Sequence, residues 1–142
     1  METIGQLLNR KGRDIWSIGP DASVYESIQM MADKGVGALV VMEGGQVAGI
    51  ISERDYARKV VLKDRSSRET RISEIMTTDL VYGRPDQSVQ EGLSVMTEKR
   101  IRHLPIMNGD ELVGVVSIGD LVKEIIAEQQ QMISQLEQYI SG

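Results

Sequence analysis

Residues 20–61 and 85–126 are one element written twice. A shift of 65 positions, with no gap, lays Pro20, Asp21, Ser23, Val24 and Glu26 over Pro85, Asp86, Ser88, Val89 and Glu91. The match continues through Met31/Met96, Lys34/Lys99, Leu39/Leu104, Met42/Met107, Gly44/Gly109, Gly49/Gly114, Ser52/Ser117 and Asp55/Asp120, thirteen identities in 42 pairs. A long period present only twice argues against a solenoid and for two similar subdomains packed on each other. Such a pair implies a pseudo-twofold axis, and two related sites for anything bound between the copies. Each copy alone is of marginal size, so the halves are expected to bury apolar faces jointly.

Within each copy the signals run in one order. A short β-prone piece (15–18; 80–82) leads to a turn at Gly19-Pro20-Asp21 or Arg84-Pro85-Asp86. Ser23 and Ser88 then read as helix N-caps, with Glu26 and Glu91 completing capping boxes. The apolar residues Val24, Ile28, Met31 and Val89, Leu93, Met96 mark the core face of the helix that follows. Two strands, 38–42 with 47–51 and 103–107 with 112–116, flank Gly-Gly or Asn-Gly-Asp turns and read as hairpins. Helices then start at Ser52 and Ser117. The expected class is α/β (α+β): β-α-β-β-α twice, plus an extended C-terminal helix. Short lead-in helices precede each copy at 4–8 and 72–77, and 63–71 is a polar linker. The reading places one domain at 8–65, a second at 72–130 and a helical extension at 131–142.

Composition excludes several functions. The chain has no Cys, hence no disulfide, thiolate metal site or Cys nucleophile. A net charge of −5 argues against general nucleic-acid binding. No apolar run is long enough to cross a membrane, and a cytoplasmic protein is expected. There is no P-loop, no G-x-G-x-x-G element and no recognisable Ser/His/Asp set, so an enzyme is not expected. The one His cannot build a metal site alone.

Gly49-Ile-Ile-Ser52-Glu-Arg-Asp55 and Gly114-Val-Val-Ser117-Ile-Gly-Asp120 share a strand-to-helix pattern. Ser at N-cap with Asp at N3 is a capping arrangement, suited to the helix dipole. Alternatively, the carboxylate accepts the two hydroxyls of a ribose while free amides of the helix N-terminus meet an anion. The glycine three residues before the Ser, and the repetition, go beyond what a cap needs.

With Ile75-Met76-Thr77, Pro85-Asp86-x-Ser88-Val89, Arg102-His103-Leu104-Pro105-Ile106 and Gly114-Val-Val-Ser117-x-x-Asp120, the chain resembles the CBS domain in its tandem form, the Bateman module, over about residues 8–130. The resemblance implies a regulatory, signal-transducing module that binds an adenine nucleotide, AMP or NAD(H) or else ADP or ATP, in the cleft between the copies, with no metal required. It implies ribose contacts from Asp55 and Asp120 with Ser52 and Ser117. It puts adenine against Trp16, Ser17, Ile18, Gly37 and Ala38 in one site, and against Val81, Tyr82, Gly83, His103, Leu104 and Pro105 in the other. Phosphate falls to Arg100, Arg102 and His103, with Arg54 and Arg58 as further candidates. Arg100 and Arg102 also read as solvated residues at a strand edge. Because Gly37-Ala38 replaces Arg102-His103, the two sites are not expected to be equivalent. The uncovered apolar residues after Glu124, Ile133, Leu136 and Ile140 among them, predict a homodimer. An effector protein, unnamed by the sequence, is the expected reader of the bound state.

Overall fold

The computed structural model describes residues 2–141. The chain forms two compact units. One spans Asp14–Val81; the other joins the residues up to Arg13 with those from Tyr82 onward.

In the contiguous unit, β1 (Ser17–Ile18) runs parallel to β2 (Ala38–Glu43), which pairs antiparallel with β3 (Gln46–Ser52). Between β1 and β2 lies α2 (Val24–Lys34), capped by the Ser23 hydroxyl and ended by Gly35 in the left-handed region. The β2–β3 turn places Gly44 and Gly45 at φ 59° and 77°, which explains the glycine pair. After β3 a short helix, α3 (Glu53–Tyr56), widens into a π-type segment over Ala57–Val61. The lead-in helix α4 (Ile72–Ile75) packs back onto this same unit. Its Ile72 and Ser73 amides donate to the Ala22 and Pro20 carbonyls, and Val24 N–H donates to Thr70. Val24, Met31, Leu39, Val41, Ile51, Val60, Ile72 and Ile75 close the core.

The discontinuous unit repeats the plan with α5 (Val89–Lys99), β4 (His103–Asn108), β5 (Glu111–Ser117) and α6 (Ile118–Ser141). Its lead-in is α1 (Ile4–Lys11), whose Ile4 and Gly5 amides donate to the Gln87 and Pro85 carbonyls, while Val89 donates to Glu2. These are the hydrogen bonds of α4 carried to the other copy. Ile4, Leu8, Val89, Met96, Leu104, Ile106, Val116 and Leu121 are fully buried. Burial of each such side chain contributes about 1.5–3 kcal/mol. Sequence repeats and compact units therefore part company at the lead-ins: α1 precedes the first copy in the chain but completes the second.

The first strand expected in the second copy, 80–82, does not form. Only Gly83 bridges Ile106, through Gly83 N–H to the Pro105 carbonyl and Met107 N–H to the Gly83 carbonyl. The cause is Pro105. Its counterpart Val40 donates its amide to the Trp16 carbonyl and so begins the β1–β2 ladder. Proline has no N–H to give.

Candidate functional site

The two strand-to-helix junctions have the same local skeleton. At the end of β3, Ser52 Oγ accepts the Asp55 amide at 3.1 Å, and Asp55 Oδ2 accepts the Ser52 amide at 3.0 Å. At the end of β5, Ser117 Oγ accepts the Asp120 amide at 3.1 Å, and Asp120 Oδ2 accepts the Ser117 amide at 2.8 Å. Both pairs are complete reciprocal caps, each satisfying two helix-end donors.

Around the caps the junctions diverge. Asp55 also accepts the Ser52 hydroxyl on Oδ2 at 3.1 Å and the Thr77 hydroxyl on Oδ1 at 3.3 Å. Lys59 Nζ sits 3.0 Å from the same Oδ1 while donating to the Ile75 carbonyl. Both Asp55 oxygens are thus engaged by the protein, and its side chain is 11% exposed. At Asp120, Lys11 Nζ lies 3.0 Å from Oδ2 and donates to the Val115 carbonyl, so the cap and the ion pair share one oxygen. The Asp120 side chain is 26% exposed. Burial pushes its carboxyl up, but the Ser117 amide and the Lys11 ammonium outweigh that and hold it below the usual aspartate range. Asp120 is an ionised acceptor whose Oδ2 takes both the cap and the ion pair.

Two expectations are corrected here. The helix N-termini are less open to an anion than the sequence suggests. The first helical amide is taken in both copies, Glu53 N–H by the Gly37 carbonyl at 3.0 Å and Ile118 N–H by the Arg102 carbonyl at 2.8 Å. The third goes to the cap serine, which leaves the amides of Arg54 and Gly119 as the second in each row. The glycines upstream also have a packing reason unrelated to ligand. A Cβ on Gly49 would lie 2.7 Å from the Thr77 carbonyl, and one on Gly114 would lie 2.8 Å from Leu8. Each glycine makes room for a lead-in segment.

The register gathers the remaining candidates. Ala38 pairs with Ser52 and His103 with Ser117. Gly37 and Ala38 therefore stand beside the Asp55 cap, while Arg102 and His103 stand beside the Asp120 cap. Arg102 is exposed and His103 half-buried. Arg100 ends α5 with φ 57°, in the left-handed region that Gly35 occupies in the first copy. Trp16 is partly exposed with Lys34 Nζ 4.4 Å from its ring centre. Ser17 is exposed and Ile18 half-buried; Arg54 and Arg58 point to solvent on the α3 side. Val81 is half-buried and Tyr82 exposed. Gly83, Leu104 and Pro105 are buried, and as neighbours on β4 Leu104 and Pro105 point to opposite faces of the sheet.

Sequence reading missed Thr77, Lys59 and Lys11. Lys59 was legible, four residues after Asp55 on one helix face. Thr77 and Lys11 were not, because tertiary docking of the lead-ins brings them in. It also missed a carboxylate group of Glu2, Glu124 and Glu128, whose oxygens lie within 4.8 Å of one another. Arg10 bridges Glu2 and Glu124, and the Glu2 amide donates to Glu128. Burial, with a hydrogen bond to and repulsion from Glu124, pushes the Glu2 carboxyl up to about 7. With Arg10 balancing charge, this group ties α1 to α6.

The CBS-domain family model matches residues 5–62 and 72–127, and the chain belongs to that family. It is 37% identical to the mitochondrial CBS domain-containing protein CBSX3 of Arabidopsis thaliana, over 99% of this chain and 72% of that one. A solved protein with CBS domains from Burkholderia ambifaria MC40-6 is 51% identical, with TM-score 0.86, covering 89% of this chain and 96% of that one. The CBS domain pair of protein MJ0100, solved with 5′-methylthioadenosine and S-adenosyl-L-methionine, shares the fold at TM-score 0.80 and 19% identity, over 90% and 98% of the two chains. CBS pairs are regulatory modules, generally non-catalytic, and adenosine-type ligands are bound by one such neighbour. No helix among the described residues is long and apolar enough to cross a membrane.

Proposed function

We propose that this protein is a non-catalytic sensor of adenine nucleotides, AMP or NAD(H) foremost and ADP or ATP next, with Asp120 as its principal ribose acceptor. The observation that carries the reading is the Asp120 junction. A carboxylate held ionised carries its cap and its ion pair on one oxygen, Oδ2, beside the exposed Arg102 and the half-buried His103. A cis-diol needs an acceptor with that capacity, and a phosphate needs a cation within the same few residues. The adenosine ligands of the MJ0100 pair support the ligand class. On this reading the ligand favours one conformation, an effector protein reads it, and the working form is a homodimer.

A second reading, a ligand-free interaction module, draws on Asp55, whose oxygens are both spent on protein donors. The sensor reading, with Asp55 closed, gives one stoichiometry: one nucleotide per chain, held through the second copy. Calorimetric titration of the full chain with AMP, NAD, ATP and adenosine tests it, alongside mass identification of anything released on denaturation. Saturation near one equivalent is expected. Failure of all four to bind, with nothing released, leaves the interaction-module reading standing and removes the sensor.

A further inference from the structure

α6 carries a second apolar face that its own unit does not use. Leu121 is fully buried against the unit, and Ile118 and Ile125 are half-buried. On another flank Val122, Ile126, Ile133, Leu136 and Ile140 are exposed, Ile133 and Leu136 by 55% and Ile140 by 82%. With Gln129 between them, these six residues are spaced 4, 3, 4, 3 and 4 apart. That is the alternation of a seven-residue repeat, with Ile126, Ile133 and Ile140 at a and Val122, Gln129 and Leu136 at d. A period of 3.5 drifts slowly around a straight helix, so such a stripe marks a seam for another helix rather than a face for a sheet.

The exposed length needs a partner. Every described residue from Gln129 to Ser141 is exposed, a stretch of about 20 Å. A lone helix of that length is marginal in water. Glu137 is its only charged residue, so ion pairs along the helix do not support it. With Met132 and Tyr139 on the seam's edge, the open side chains amount to several hundred Å² per copy, the scale of one side of a standard interface of about 800 Å².

We propose that α6 pairs with α6 of a second copy as a parallel two-stranded coiled coil running from Val122 to Ile140. The occupant follows from the seam's own chemistry. β-Branched Ile at every a position, with Leu136 at one of the three d positions, favours two parallel strands. Gln129 is the one polar residue in the seam, and in a parallel, in-register pair it meets its own copy. Its amide can then donate to and accept from the facing amide, a pairing that only the in-register parallel arrangement allows. An antiparallel pair sets Gln129 against Ile133 and leaves that amide without a partner in the seam. The pairing is isologous and closes at two copies. It rests on the homodimer reading above and gives that dimer its location and direction.

The absence of cysteine makes the test direct. The full chain with Ile133→Cys, oxidised and run on a non-reducing gel, should pass almost wholly to a disulfide dimer, because an a position faces itself only in the parallel register. Leu136→Asp, on an exposed residue, should weaken dimerisation more than tenfold in sedimentation equilibrium, with the circular dichroism of the folded units kept. A monomeric parent chain overturns both the homodimer reading and the coiled coil. A dimer as tight in Leu136→Asp as in the parent keeps the homodimer reading and overturns the helix pairing. Cross-linking only when Gln129→Cys and Ile133→Cys are combined overturns the parallel direction in favour of antiparallel pairing.

Discussion

Asp55 and Asp120 occupy the same place in the same pattern, yet one is closed in by its protein and the other is not. The difference comes from the segment that docks beside each. Thr77, arriving with α4, gives Asp55 a hydroxyl, and Lys59 takes the same oxygen. The corresponding dock on the second copy is made by α1, which brings Lys11 to Oδ2, the oxygen that already takes the cap, and leaves the side chain 26% exposed against 11% at Asp55. A repeated pattern thus fixes the cap in both copies, while its neighbours decide whether the carboxylate has capacity left for a ligand.

The comparison is most exposed at the two acids. Asp120→Ala should weaken adenine-nucleotide binding by about ten- to a hundredfold, the scale of a lost charge-assisted hydrogen-bond pair. Asp55→Ala should change affinity by less than about threefold, and instead lower stability by about 1–2 kcal/mol through loss of a cap. Calorimetry and thermal unfolding on both variants give the contrast. Equal losses of affinity would show that the closed junction binds as well as the open one.

Arg102→Ala sharpens the same comparison on the phosphate side. Binding of AMP or NAD should fall by about tenfold while adenosine changes little, because only the phosphate gains from the cation. The mirrored change Gly37→Arg adds a side chain at the first junction and should not restore that loss. If adenosine and AMP weaken together, Arg102 acts on the fold and not on phosphate.

A smaller effect is expected where Arg100 takes the left-handed position that Gly35 takes in the first copy. A side chain there costs about 1 kcal/mol against glycine. Arg100→Gly should therefore raise stability by about 0.5–1 kcal/mol, and Gly35→Arg should lower it by a similar amount. Strained residues cluster at functional sites, so affinity for AMP should drop in the stabilised variant. Chemical denaturation and calorimetry on one preparation check both signs.

The smallest effect belongs to the lead-ins. Glu2 in α1's dock stands where Thr70 stands in α4's, and Thr70 is a buried hydroxyl donating to the Ser66 carbonyl. Raised from 4.5 to about 7, the Glu2 carboxyl binds its proton more tightly in the folded protein than in the unfolded chain. Its contribution is therefore full below about 4.5 and lost as pH rises through the interval up to about 7. Amide-exchange protection in α1 should fall between pH 5.5 and pH 8, with no matching fall in α4. Glu124→Gln, which removes the repelling charge, should flatten the profile.

Much of this was legible without coordinates. The capping residues, both hairpins, the core-facing helix residues and the family followed from signals within a few positions of one another. Backbone hydrogen bonds and helix caps are short-range, so three- and four-residue spacings record them faithfully. The missing strand before Gly83 was also written in the chain, since Pro105 lacks the amide its pairing needs, but its meaning depends on a register seen only after folding.

What the sequence determined by itself is the repeated cap, its two carboxylates and the heptad stripe of α6, because each is set by residues on one helix or at one turn. Tertiary structure alone decided which carboxylate is the more closed in, why Gly49 must be glycine, and that α1 completes the second copy. Those outcomes depend on segments far apart in the chain coming within hydrogen-bonding distance, and no local spacing encodes which of two equivalent docks a lead-in will fill.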